Sequence, residues 1–70
     1  MQIYVELLDE GTTVWRPVEA VLIGGDRYRI LTEPVAEEIW AFQTGEVVRC
    51  KVKRFSDGKE GLVAYEETQR

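Results

Sequence analysis

The sequence contains no histidine among its 70 residues and only one cysteine, Cys50. Histidine is the most common general base and a frequent metal ligand, so its absence argues against the usual acid–base catalysts and against zinc sites built from one chain. A single thiol excludes an internal disulfide bond, which fits a reducing, cytoplasmic environment. We therefore expect a protein that is not an enzyme and that carries no metal and no cofactor.

Long apolar runs are also lacking. No stretch approaches the ~18 residues of a membrane span, and no signal-peptide pattern is present, so we expect a cytoplasmic protein without a membrane partner. The net charge is −4, from 13 acidic and 9 basic residues. Non-specific binding to DNA or anionic membranes depends on net positive charge, so the overall balance disfavours nucleic acid as a partner.

Apolar and polar residues alternate with a period of two along most of the chain, which predicts strands with one buried face. The predicted strands cover residues 2–8, 15–23, 27–31, 46–54 and 62–65, with a sixth short strand over 39–42 or, alternatively, one helical turn over 35–40. Glycine-containing turns separate them. Short strands joined by hairpin turns predict an all-β fold, a small antiparallel five- or six-stranded SH3-like barrel over residues 1–66, followed by a polar tail over 67–70. A five-stranded oligonucleotide-binding barrel is the alternative.

The alternation also assigns side chains to the barrel core. The residues expected there are Val18, Ala20, Leu22, Val48, Cys50 and Val52, together with Tyr28, Phe42 and one of the two tryptophans. Because Glu19 shares a strand face with Val21 and is costly to bury unpaired, Val21 and Ile23 are expected to face outward. Other apolar residues expected on the outside are Leu8, Leu31, Val63 and Tyr65.

An outward apolar patch on a small barrel is typical of an interface. We expect Val21, Ile23 and Leu31 to contribute to a protein interface that holds a homodimer or small oligomer, or binds another protein. We also assign Trp15 to this interface, as a residue that anchors the partner, because tryptophan is enriched at binding hot spots. The alternative for Trp15 is that it packs beneath the polar loop over residues 9–13.

Basic residues recur on single strand faces and form a candidate nucleic-acid wall of five side chains, Arg27, Arg29, Arg49, Lys51 and Lys53. If the two strands that carry them are neighbours, the cations gather on one surface of the kind that nucleic-acid-binding barrels use with interleaved aromatic residues. The alternative is a solvated outer face on which these cations pair with glutamates across strands.

Two segments carry a resemblance. Residues 14–20 (VWRPVEA), followed by 25–30 (GDRYRI), resemble a group of small bacterial proteins to which no activity is attached, and residues 40–50 (WAFQTGEVVRC) are similar to the same group. This resemblance implies a bacterial, cytoplasmic barrel. The tripeptide at residues 2–4 (QIY) is similar to one in the plasmid-type dihydrofolate reductases, small barrels that tetramerise around a pore. Three hypotheses follow: a non-enzymatic interaction module, which we prefer, an RNA- or DNA-binding barrel, and an enzyme whose site forms only in an oligomer pore.

Overall fold

The computed structural model describes residues 1–35 and 37–68, and within them the chain forms five strands and no helix. The strands are β1 (Gln2–Leu7), β2 (Val14–Gly24), β3 (Arg27–Ile30), β4 (Val47–Arg54) and β5 (Glu60–Glu67). Each strand pairs antiparallel with the next, and a parallel contact between Tyr4 of β1 and Val63 of β5 closes the barrel. The closing contact is parallel because the first and fifth strands of a meander run in the same direction. The prediction of an all-β, closed, five-stranded sheet is confirmed.

Residues 39–42 do not add a sixth strand, because Trp40 forms only an isolated bridge with Leu7. The alternative helical turn over 35–40 falls partly on Ala36, which lies outside the described residues, and residues 37–40 are not helical. None of the described residues belongs to a helix that is long and apolar enough to cross a bilayer.

The barrel interior is filled by alternate residues from all five strands and by one tryptophan. The buried cluster consists of Ile3, Val5, Leu7, Val18, Ala20, Tyr28, Ile30, Trp40, Val48, Cys50 and Ala64. The predicted core positions of Tyr28 and of one tryptophan are confirmed, whereas Phe42 is half-buried and packs against the edge of the cluster. Among the described residues no polar or charged side chain is buried, so the core is held by apolar packing.

Two glycines with positive φ form the hairpin turns. Gly25 has φ of 59° and is the first of the two residues that join β2 to β3. Gly58 has φ of 89° in the loop between β4 and β5. There its N–H donates to the Phe55 carbonyl at 2.9 Å, and the Phe55 N–H donates to the Lys59 carbonyl at 2.7 Å. A side chain with a Cβ rarely adopts these φ values, so glycine sets both turns and the registers that follow from them.

The long connection between β3 and β4 closes one mouth of the barrel. Its central part lies beside the end of β1, where the Leu8 N–H donates to the Ile39 carbonyl at 2.7 Å and the Ala41 N–H donates to the Glu6 carbonyl at 2.9 Å. These two bonds hold Trp40 over the core, where only 3% of its surface remains exposed.

A carboxylate fixes this connection to β2. Glu38 accepts hydrogen bonds from Arg16 Nε at 3.2 Å and from Trp40 Nε1 at 2.9 Å, and Arg16 Nη2 binds its second oxygen. These bonds, with the one from Arg16 first, lower the pKa of Glu38. Glu38 therefore stays ionised and ties both the covering tryptophan and the neighbouring strand to the connection.

Two of the predicted core positions are exposed, so those two predictions are wrong. Leu22 and Val52 have the strand parity of core residues, but they are 53% and 64% exposed. Leu22 lies next to the β2–β3 turn. Val52 lies on β4 beyond the point where β3 begins, and within the described part of the chain it is paired only with Leu62 of β5. Parity decides which way a side chain points, but burial also requires a covering layer.

Val63 was predicted to point outward, and it lies outside the core cluster, but it is buried and so adds nothing to an exposed patch. Its cross-strand neighbours are Tyr4 on one side and Lys51 on the other, and both are long side chains. The Tyr4 ring extends along the same outer face as far as Gly61, where an added Cβ would lie 2.7 Å from it. The outer face of β5 is therefore partly covered by side chains of the barrel itself.

The end of β5 extends further than predicted. Glu67 belongs to the strand, and Thr68 donates its N–H to the Val47 carbonyl at 2.9 Å. Half of the predicted tail over residues 67–70 is thus paired with β4, because β4 is long enough to offer Val47 as a partner. Gln69 and Arg70 lie outside the described residues.

Candidate interaction surfaces

The β2–β3 hairpin carries an exposed apolar surface, here named the hairpin patch and defined as Val21, Leu22, Ile23 and Leu31. Val21, Ile23 and Leu31 are exposed, in line with their predicted outward positions. Leu22 was expected inside and joins the patch because it is exposed. Apolar side chains therefore project from both faces of β2 just before the turn.

Charged residues border the hairpin patch. Val21 lies opposite Arg29 in the β2–β3 register, and the Leu31 N–H donates to the Glu19 carbonyl at 2.9 Å. Arg29 and Glu19 are both exposed. An apolar centre with a polar border of both signs is the arrangement found in protein–protein interfaces.

Trp15 does not belong to the hairpin patch. It precedes Val21 by six residues on the same strand, which separates the two by roughly 20 Å. Trp15 is half-buried and packs edge-on against Phe55, with ring centroids 6.4 Å apart, and Phe55 in turn packs against Tyr4 at 5.0 Å. Sequence reasoning missed this aromatic cluster because Phe55 lies in a hairpin loop, where alternation gives no signal.

Two surface depressions adjoin the aromatic cluster, and both are lined by Glu6, Trp15 and Lys53. One has a volume of about 510 Å³ and extends toward Phe55, and the other has a volume of about 330 Å³ and extends toward Tyr65. Their linings combine aromatic rings, lysines and one carboxylate. That chemistry suits contact with a peptide or a nucleobase.

The candidate nucleic-acid wall is brought together by the β3–β4 pairing. Arg27 and Arg49 are direct partners across the two strands, and all five cations of the wall are exposed. The Tyr65 ring lies between two of them, with its centroid 5.8 Å from the Arg49 guanidinium carbon and 5.0 Å from Lys51 Nζ. Tyr65 was expected only to face outward, and its position between cations follows from a bulge in β5 opposite Arg49 and Cys50.

Acidic residues neutralise part of this wall. Arg49 Nε donates to Asp26 Oδ2 at 3.1 Å, and Arg49 Nη1 lies 3.9 Å from Glu66 Oε1. The bond to Asp26, followed by the charge of that carboxylate, raises the pKa of Arg49. In contrast, Lys51 and Lys53 form no ion pair within the part of the chain that the structure describes.

Cys50 lies in the core, as its parity predicted. Burial, and secondly the charge of Asp26, raises the pKa of its thiol to about 11. Because the thiolate is the reactive form, the side chain is inert at neutral pH. Within residues 1–35 and 37–68, no group of three or more cysteine, aspartate and glutamate side chains is arranged to hold a metal ion.

Comparison with known proteins adds no relative: no family model matches the chain, and neither the curated proteins nor the solved structures include a significant match. The resemblance of residues 14–20, 25–30 and 40–50 to small bacterial proteins therefore stays a prediction.

Proposed function

We propose that this protein is a non-enzymatic interaction module, built on an SH3-like barrel, that binds a second copy of itself or a protein partner through the hairpin patch. The observation that supports this proposal is the run of three consecutive exposed apolar residues, Val21, Leu22 and Ile23. Strand alternation normally places one of two neighbouring residues in the core. Burying these three side chains at an interface would favour association by ~25 cal/mol for each Å² of apolar surface removed from water, less the free-energy cost of association.

We expect the wild type to form a homodimer or small oligomer at micromolar concentration, and Ile23→Asp to weaken that association by at least about tenfold. A tenfold change corresponds to ~1.4 kcal/mol, less than the ~1.5–3 kcal/mol for fully burying an isoleucine side chain. Size-exclusion chromatography with light scattering over a concentration series measures the effect, and circular dichroism verifies that the variant is folded.

The matched control is Leu8→Asp. Leu8 is 43% exposed against 44% for Ile23, and it follows the end of β1 at the opposite mouth of the barrel. This control should associate as the wild type does. A wild type that stays monomeric at several hundred micromolar, or equal weakening by both substitutions, would contradict self-association through the hairpin patch.

A second candidate function is weak binding of single-stranded nucleic acid on the five-cation wall. The observation that favours it is Tyr65, whose ring is available between Arg49 and Lys51. Stacking of a base on an aromatic side chain is worth ~1–3 kcal/mol, and neighbouring cations can bind the phosphates. The net charge of −4 opposes such binding, which limits it to low salt.

If the protein has this second function, fluorescence anisotropy with a labelled single-stranded oligonucleotide should detect binding, and the affinity should fall steeply as salt is added. Tyr65→Ala should weaken it by about fivefold or more, which corresponds to the loss of at least ~1 kcal/mol of stacking. Lys59→Glu is the control for charge, since Lys59 lies in the β4–β5 loop outside the wall. No binding at high micromolar protein and low salt would eliminate this candidate.

A further inference from the structure

The edge of β4 is uncovered along its second half. β4 has 8 residues and its neighbour β3 has 4, so β4 extends beyond β3. The paired stretch covers Val47, Val48 and Arg49, and a final bond runs from the Cys50 N–H to the Asp26 carbonyl at 2.9 Å. Beyond Cys50, within the described residues, β4 is paired only with β5.

The hydrogen bonds on both sides of β4 define which backbone groups point to the uncovered edge. On the β3 side, the Glu46 carbonyl accepts from Ile30 at 3.1 Å, and the Cys50 N–H is the donor to Asp26. The backbone groups of successive residues in a strand point to opposite sides. Even-numbered residues of β4 therefore direct their N–H and C=O groups toward β3 or, where β3 is absent, toward the open edge.

The β5 side agrees with this alternation. The Val47 carbonyl accepts from Thr68, and the Phe55 N–H donates to Lys59, so odd-numbered residues are directed toward β5. Val52 and Arg54 consequently present backbone donors and acceptors at the open edge that have no partner among the described residues. A strand edge of this kind is a template for pairing with another chain.

The side chains around this edge are basic, which decides what can pair with it. Lys51, Lys53 and Arg54 surround the exposed Val52, and only Arg54 has an ion-pair partner among the described residues, Glu60 at 3.2 Å. If a second copy used the same edge in antiparallel pairing, these cations would face each other, and like charges in opposed positions destabilise a sheet. Charge complementarity instead favours an acidic strand.

We propose that the open edge of β4, residues 51–54, binds an extended acidic segment of a partner protein as an added strand. Backbone hydrogen bonds to Val52 and Arg54 hold the segment, its acidic side chains contact Lys51 and Lys53, and its apolar side chains cover Val52. Strand addition of this type derives affinity from the main chain and specificity from alternate side chains. This site is separate from the outer face of the hairpin patch and extends the range of partners beyond those proposed above.

The test uses a fluorescein-labelled synthetic peptide of alternating glutamate and valine, capped at both ends, in anisotropy titrations with the full chain. Val52→Pro should weaken binding by at least about tenfold, because proline lacks the N–H that the edge offers. Proline is tolerated where a strand N–H faces solvent, so the fold should be retained. Val52→Thr keeps the N–H and the branched shape and should bind within about threefold of wild type.

A second measurement needs no variant of the protein. The same peptide with its alternate amides methylated keeps every charge but cannot complete a strand ladder, and it should lose binding to the wild type. A peptide with lysine in place of glutamate should also fail to bind. Ile23→Asp should leave the affinity for the acidic peptide unchanged, which separates this site from the hairpin patch.

Two results would overturn the proposal. Equal binding of the methylated and unmethylated peptides would mean that charge alone attracts the peptide and that the edge is not used. Loss of self-association in Val52→Pro, together with no binding of the acidic peptide to the wild type, would assign the edge to a second copy of this chain.

Discussion

Trp40→Ala is expected to remove a large part of the free energy of unfolding, so that the variant unfolds at a much lower urea concentration than the wild type. Trp40 is 3% exposed, lies over the core at the closed mouth and donates to Glu38. Removing a buried tryptophan side chain costs ~3–5 kcal/mol. A chain of 70 residues has a total stability of only roughly 3.5–10 kcal/mol. Urea unfolding followed by circular dichroism measures the loss without depending on the deleted fluorophore.

Trp15→Ala provides the comparison, since it removes the same side chain from a half-buried position. We expect it to cost about 1–2 kcal/mol, because large effects of single substitutions come mainly from fully buried sites. Trp40→Phe keeps an aromatic ring but loses the donor to Glu38, so its loss of stability should lie between those of Trp40→Ala and Trp15→Ala. Equal stabilities for Trp40→Ala and Trp15→Ala would show that the β3–β4 connection does not contribute to the core as the structure indicates.

Much of the fold follows from local pattern. The alternation in β1 and β3 predicts which residues are buried, because both strands are covered along the whole of their inner face. The same rule fails at Leu22 and Val52, whose parity is that of core residues but whose side chains are exposed. Which mouth is closed depends on where the β3–β4 connection lies. That placement depends on Trp40 reaching Leu7, more than 30 residues earlier in the chain, and no short-range pattern predicts it.

Some features of the candidate surfaces follow from local sequence, and others depend on contacts between distant residues or on strand lengths. The exposure of Val21 and Ile23 follows from the cost of burying Glu19, which is a local argument. The contact between Trp15 and Phe55 joins residues 40 positions apart in the chain, so no local pattern predicts it. The open edge of β4 results from the difference in length between β3 and β4. That difference can be recognised only when the first and last residue of each strand are known.

Cys50 should be protected from thiol reagents in the folded state and reactive in denaturant. Burial raises the pKa of its thiol from 9.0 to about 11, so at neutral pH the thiolate fraction falls about 100-fold, and burial also blocks access. We therefore expect native labelling to be at least ~100-fold slower than labelling in urea, measured with a chromogenic disulfide reagent. Fast native labelling would mean that β4 turns its other face to the core.

The same pKa shift makes stability depend on pH. The folded state retains the Cys50 proton up to about pH 11, whereas the unfolded chain loses it near 9.0. The contribution is fully present below the unfolded pKa, and it decreases as pH rises through the interval between the two values. A difference of two pKa units corresponds to ~2–3 kcal/mol. Urea unfolding of the wild type and of Cys50→Ala across this interval isolates the effect, since the two proteins differ only at this side chain. The wild type should lose stability more steeply with pH than Cys50→Ala, and parallel pH profiles would contradict a buried, protonated thiol.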